Sequence, residues 1–67
     1  MKSVIKICNM RSGADITNIR KAIANNEGVI ACQISPEKGE VSVVYDEYFV
    51  TLDHIIESIE DLGYTIL

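Results

Sequence analysis

Asn9-Met10-Arg11-Ser12-Gly13-Ala14-Asp15 separates two apolar runs of different period. Before it, Val4-Ile5-Lys6-Ile7-Cys8 alternates, so Ile5 and Ile7 share one face of a strand and Val4, Lys6 and Cys8 the other. After it, Ile16, Ile19 and Ile23, with Ala22, recur at helical spacing, and Thr17, Asn18, Arg20 and Lys21 fall opposite them. Ser12 and Asp15 form the pattern Ser-x-x-Asp immediately before that helical run. In such a pattern the hydroxyl accepts from the amide three residues on and the carboxylate reaches back, so the stretch reads as a helix start near Gly13. Asn25, Asn26 and Gly28 supply the stop, which gives a first helix over roughly Gly13 to Asn26.

The remainder of the chain is punctuated in the same way. Val29 to Ser35 reads as a second strand with Cys32 and Ile34 alternating against Ala31 and Gln33. Pro36-Glu37-Lys38-Gly39 reads as a turn, because Pro fixes φ and Gly permits a positive one. Val41, Val43 and Tyr45 then alternate with Ser42 and Val44 in a third strand, forming a hairpin with the second. Asp46 to Val50 is a loop, and Thr51 caps a second helix that carries Leu52, Ile55, Ile56 and Ile59 at helical spacing. Gly63 ends that helix and Tyr64-Thr65-Ile66-Leu67 is a short final strand.

The order β-α-β-β-α-β predicts an α+β, ferredoxin-like sandwich. Right-handed crossovers give a four-stranded antiparallel sheet in the order 4-1-3-2, with both helices on one face. Chain direction then brings the Asn9 to Asp15 turn, the Pro36 to Gly39 hairpin and Gly63-Tyr64 to one end. Asn25 to Gly28 and the Tyr48-Phe49 loop go to the other.

A chain of 67 residues has room for one core, so residues 1–67 are read as a single domain. Apolar residues make up 48% and charged residues 24%, the composition of a compact fold rather than a disordered tail. No window approaches the roughly 18 uninterrupted apolar residues of a membrane span. The start Met1-Lys2-Ser3-Val4-Ile5-Lys6 is too short and polar for a signal peptide, so a cytoplasmic location is expected. Lys2, Lys6, Arg11, Arg20 and Lys21 fall early, opposed only by Asp15, whereas the remainder sets Lys38 against nine carboxylates. The acidic net charge of −4 argues against nucleic acid as the main partner. The segregation of charge is either a solvated surface or a bipolar one that steers a charged protein partner. Cys8 and Cys32 do not make a disulfide framework and are read as reduced.

Met10 in the loop, Gly28-Val29, Gly39-x-Val41-x-Val43, Tyr45-Asp46, Val50-Thr51, Ile55, Ile59 and Glu60-Asp61-Leu62-Gly63-Tyr64 carry a family resemblance. In joint spacing, from Ile5 to Tyr64 without a gap, they resemble the heavy-metal-associated (HMA) domains of copper chaperones and metal-transporting P-type ATPases. The resemblance implies a working motif Met-x-Cys-x-x-Cys, whose two thiolates hold Cu(I) or another soft metal. Here the first cysteine position is Ser12 and the second is Asp15, so Ser12-Gly13-Ala14-Asp15 replaces the pair. Neither side chain offers the soft sulfur that Cu(I) prefers. The expectation is a structural cap in place of a metal clasp, with no bound cofactor. The role that follows is docking or regulation in metal homeostasis, and the expected state is a monomer or weak dimer. An alternative keeps metal trafficking through Cys8, or a partner's cysteine, completing a mixed site with Ser12 and Asp15 better suited to Zn(II) than Cu(I). A further alternative, from another class, is an ACT-type domain binding small molecules, since it shares the strand order.

The resemblance also implies roles for other residues. Met10 is a core plug anchoring the loop, Arg11 lies in the loop, and Tyr64 covers it with its hydroxyl left to water. The basic first helix (Arg20, Lys21) and acidic second helix (Glu57, Glu60, Asp61) resemble the charged surfaces through which family members meet a transporting ATPase or another HMA-type domain. His54 reads as a solvated histidine. Tyr48 and Phe49 cannot both be buried easily, so they form a contact patch or one of them staples the second helix. Arg11 at a helix start suggests anion binding of the acylphosphatase kind. Asp15 would repel such an anion, and the third strand has no Asn to position water, so no enzyme is expected.

Overall fold

Alternating apolar residues build the sheet, and the computed structural model describes all residues, 1–67. The strands are β1 (Lys2–Lys6), β2 (Val29–Ser35) and β3 (Glu40–Tyr45), in the antiparallel order β1-β3-β2. Val41 lies between Ile5 and Ile34, and Val43 between Ser3 and Cys32. The central strand therefore has neighbours on both sides, and Val41 and Val43 are fully buried. β1 begins two residues before the apolar run because Lys2 and Ser3 pair with Val44 and Val43.

The helices are α1 (Gly13–Ala24) and α2 (Leu52–Glu60). Ile19 and Ile23 of α1 and Ile55 and Ile59 of α2 join Ile5, Ile7, Val41, Val43 and Tyr45 in one buried cluster, so both helices cover the same sheet face. Each fully buried Ile or Val contributes about 1.5–3 kcal/mol relative to an exposed one. On the opposite face Val4 stays 54% exposed. α1 stops short of Asn26 because that side chain turns back, donating from Nδ2 to the carbonyls of Ala22 (3.1 Å) and Ile23 (3.3 Å). Gly28, at φ 96°, then swings the chain into β2.

The expected fourth strand is not a strand. The final segment lies beside β1, as the order 4-1-3-2 requires, but only Ile66 pairs, antiparallel to Ile7. Its flanking bonds run from Cys8 N–H to Thr65 O (2.9 Å) and from Leu67 N–H to Lys6 O (2.9 Å). The ladder stops there because Thr65 N–H donates to the Asn9 side chain (3.0 Å), and Tyr64 is drawn toward α1. The sheet therefore has three strands and one bridge.

β2 carries a bulge between Val29 and Ala31, where the register shifts against β3. Val29 is half-buried and Cys32 faces the core, yet Ile30 between them is 70% exposed. An extra residue in one strand breaks the two-residue alternation, which sends Ile30 outward.

Candidate functional site

The turn between β1 and α1 begins at Asn9, whose side chain holds Thr65, and continues through Met10, which is buried in the core. Arg11 is exposed. Ser12 sits at the N-cap with extended backbone (φ −122°, ψ 167°). Asp15 N–H donates to Ser12 Oγ (3.2 Å), and Ser12 N–H donates back to Asp15 Oδ2 (3.0 Å). Arg11 N–H donates to the same carboxylate oxygen (3.0 Å). Two amides that the helix cannot satisfy internally are thus paired reciprocally, and the carboxylate lies at the positive end of the helix dipole.

The other Asp15 oxygen is also engaged. The Tyr64 hydroxyl donates to Asp15 Oδ1 at 2.5 Å, across 49 residues of sequence. The expectation that this hydroxyl is left to water is thereby corrected: half-burying the ring over the turn brings its polar tip onto the carboxylate. This bond, followed by the Arg11 and Ser12 amides, holds the Asp15 carboxyl down at about 2, against an ordinary value of 3.8. The bond to Asp15, with burial and the carboxylate charge behind it, raises the Tyr64 phenol above its ordinary value of 10.0.

The donor set of this turn consists of hard oxygens, and Asp15 is already bonded through both of its own. Such a set does not fit a soft cation such as Cu(I), which favours thiolate and thioether sulfur. No group of three or more His, Cys, Asp or Glu residues in the chain is arranged to hold a metal ion. Cys8 is exposed just before the turn, whereas Cys32 is half-buried and packs against the core, and both are free thiols.

The charged residues expected to serve in docking lie on the outer surfaces of the helices. Arg20 and Lys21 on α1, Glu57 and Glu60 on α2 and Asp61 at its C-cap are all exposed. Lys21 flanks a groove with Asn18, Asn25 and Leu62, while Glu57 and Asp61 line an adjoining one with Asn26, His54 and Ser58. The one ion pair of the molecule is Lys6 with Glu40 (3.8 Å), so these helix charges are not neutralised internally. His54 is exposed. Tyr48 and Phe49 are both exposed, and neither staples α2; Val50, just before the Thr51 cap, is the loop residue buried with Ile55. The anchoring of Thr65 by Asn9, and the reach of the helix-stop residue Asn26 to Ser58 Oγ (3.2 Å), are structural roles that sequence reasoning passed over. An Asn ending a strand is the one local signal that pointed to the first.

Comparison with known proteins places this architecture. The heavy-metal-associated domain profile matches residues 4–65. Copper chaperone CopZ of Staphylococcus aureus (strain Newman) is 29% identical over 66 residues, covering 98% of this chain and 97% of that protein. Among solved structures, a CopZ metallochaperone superposes with a TM-score of 0.97 at 28% identity, over 100% of both chains. A copper-binding domain from HMA7, a P-type ATPase, gives a TM-score of 0.93 at 26% identity, over 98% of this chain and 89% of that one. Fold and sequence thus agree, and this chain belongs to the heavy-metal-associated domain family.

Proposed function

We propose that this domain acts as a docking or regulatory module in metal homeostasis, with little or no metal binding of its own. The observation that carries this reading is the engagement of both Asp15 oxygens by protein donors, at a family ligand position where a thiolate would otherwise stand. Binding an ion there would require breaking a reciprocal cap and a phenol bond for a poor oxygen donor set. Partners of the same family, or the transporting ATPases that carry such domains, fit the exposed and unpaired charges of Arg20, Lys21, Glu57, Glu60 and Asp61. Association through them is weak and falls with salt.

Titration with Cu(I) and with Zn(II), followed through the amide shifts of Arg11 to Ile16, tests the reading. The expected result is no saturable change in the micromolar range; saturable binding localised to that turn overturns it. The exposed Cys8 thiol favours a second reading, in which it or a partner's cysteine completes a mixed site. In that case Cys8→Ser abolishes binding, and an unchanged affinity refutes it. Family membership sets the ACT-type alternative aside.

A further inference from the structure

The end of the molecule opposite the Ser12 cap presents aromatic surface that the core does not use. Tyr48 is 89% exposed and Phe49 61%, and their rings meet edge to face with centroids 5.6 Å apart. Isolated surface apolar residues are ordinary, but these are clustered. Phe49 shares a shallow cleft of about 270 Å³ with Val29 and the bulged Ile30. With Tyr48 and His54 it lines a second of about 310 Å³.

The backbone that presents these rings is already ordered. Asp46 N–H donates to Gly28 O (2.8 Å), Asp46 O accepts from Phe49 and Val50 (3.0 and 3.2 Å), and Asp46 Oδ1 accepts from Tyr48 N–H (3.0 Å). Val50 is buried, and a Cβ added at Gly28 would lie 2.8 Å from that of Phe49, so the loop sits directly on the α1–β2 turn. A surface held this way loses little conformational entropy when something binds to it.

The rim supplies the sign of the charge. Glu27 and Asp46 line the first cleft and Glu47 the second, with Asp53 nearby in the first turn of α2, and none of them is ion-paired. The cations at this end are Lys2, paired in register with Val44, the Met1 amine, which donates to Tyr45 O (3.0 Å), and Lys21 in the last turn of α1, which lines neither cleft. Aromatic faces attract guanidinium and ammonium groups, surrounding carboxylates add to that attraction, and the apolar floor accepts an aliphatic side chain. The same carboxylates repel an anionic lipid surface.

We propose that Ile30, Tyr48 and Phe49, rimmed by Glu27, Asp46 and Glu47, form a docking surface for an arginine- or lysine-bearing amphipathic segment of a protein partner. It adjoins the helix groove of Glu57 and Asp61 at His54 and leaves the Ser12 end free.

The test is an amide-shift titration with a synthetic peptide alternating arginine and leucine, beside one alternating glutamate and leucine and vesicles containing phosphatidylserine. Shifts are expected over Glu27 to Ala31 and Asp46 to His54, with the arginine peptide alone. Tyr48→Ser should weaken that binding about tenfold, as truncation of an interface aromatic commonly does. Glu47→Gln, which alters no packing, should weaken it roughly two- to threefold, with a shallower salt dependence. The proposal is overturned by an absence of binding at millimolar peptide, by shifts centred on Glu57 to Asp61, by equal binding of the acidic peptide or the vesicles, or by a Tyr48→Ser variant that is folded and binds unchanged.

Discussion

At the Ser12 end side chains tie the final segment to the first turn, whereas at the Gly28 end close backbone packing holds the loop to the α1–β2 turn, beside a side-chain bond from Asn26 to Ser58 (3.2 Å). Asn9, Ser12, Asp15 and Tyr64 link the strand end, the helix start and the final segment through polar atoms. At the other end Gly28 lies so near Asp46, Phe49 and Val50 that no side chain fits there. Polar ties respond to protonation and to the loss of one functional group, while steric ties respond to added volume and are indifferent to pH.

The sharpest way to break this comparison is with glycine. Gly28→Ala places a Cβ 2.8 Å from that of Phe49 at a φ of 96°. It should destabilise the domain by about 2–3 kcal/mol, combining left-handed strain with overpacking. Gly63 has almost the same φ, 97°, but nothing lies within 4 Å of an added Cβ. Gly63→Ala should therefore lose only the strain, about 1 kcal/mol. Denaturant unfolding measures both, and equal losses would remove the steric half of the contrast.

Next in size is the cap. Ser12→Ala removes the acceptor for the Asp15 amide and should lower stability by about 1 kcal/mol. Thr51→Ala removes the acceptor for His54 at α2, where no carboxylate returns the bond, and should lose less, about 0.5 kcal/mol. A greater loss at Thr51 would mean that the reciprocal arrangement at Ser12 adds nothing.

The Tyr64 bond sharpens the polar half. Because the folded Asp15 carboxyl sits at about 2, below its ordinary 3.8, its stabilisation is present above the ordinary value and disappears as pH falls toward 2. Tyr64→Phe should raise the Asp15 value, read by a carboxyl titration, and shift the acid limb of unfolding upward in pH. The raised Tyr64 phenol acts on the alkaline limb: its contribution is complete below pH 10.0 and is lost as pH rises through the folded value. Smallest of all, Tyr48→Ser should leave thermal stability within about 0.5 kcal/mol of the parent, since that ring packs on nothing buried.

Local signals made most of this architecture legible in advance. The two isoleucine stripes, the caps at Ser12 and Thr51, and the turn at Pro36 to Gly39 each reflect interactions within a few residues. What escaped is long-range. The fourth strand shrank to a bridge because Asn9 and Asp15 claim Thr65 and Tyr64 from 56 and 49 residues away. The bulge at Ile30 escaped for a different reason: Val29-Ile30-Ala31 is uniformly apolar, so no change of residue type marks the change of face. At the candidate site the reciprocal bonds of Ser12 and Asp15 could be read from spacing alone, but the phenol that completes them could not.

That bulge also bears on how the molecule behaves in a crowd. β2 pairs with β3 along one side only, so its other side offers an unpaired row of amides and carbonyls, the template on which sheets of separate molecules join. The irregularity after Val29 kinks this row and limits its straight run to Ala31–Ser35. Deleting Ile30 would straighten it, and light scattering should then rise steeply with concentration where the parent chain stays dispersed. The exposed isoleucine thus marks the point at which the open edge of the sheet is kinked.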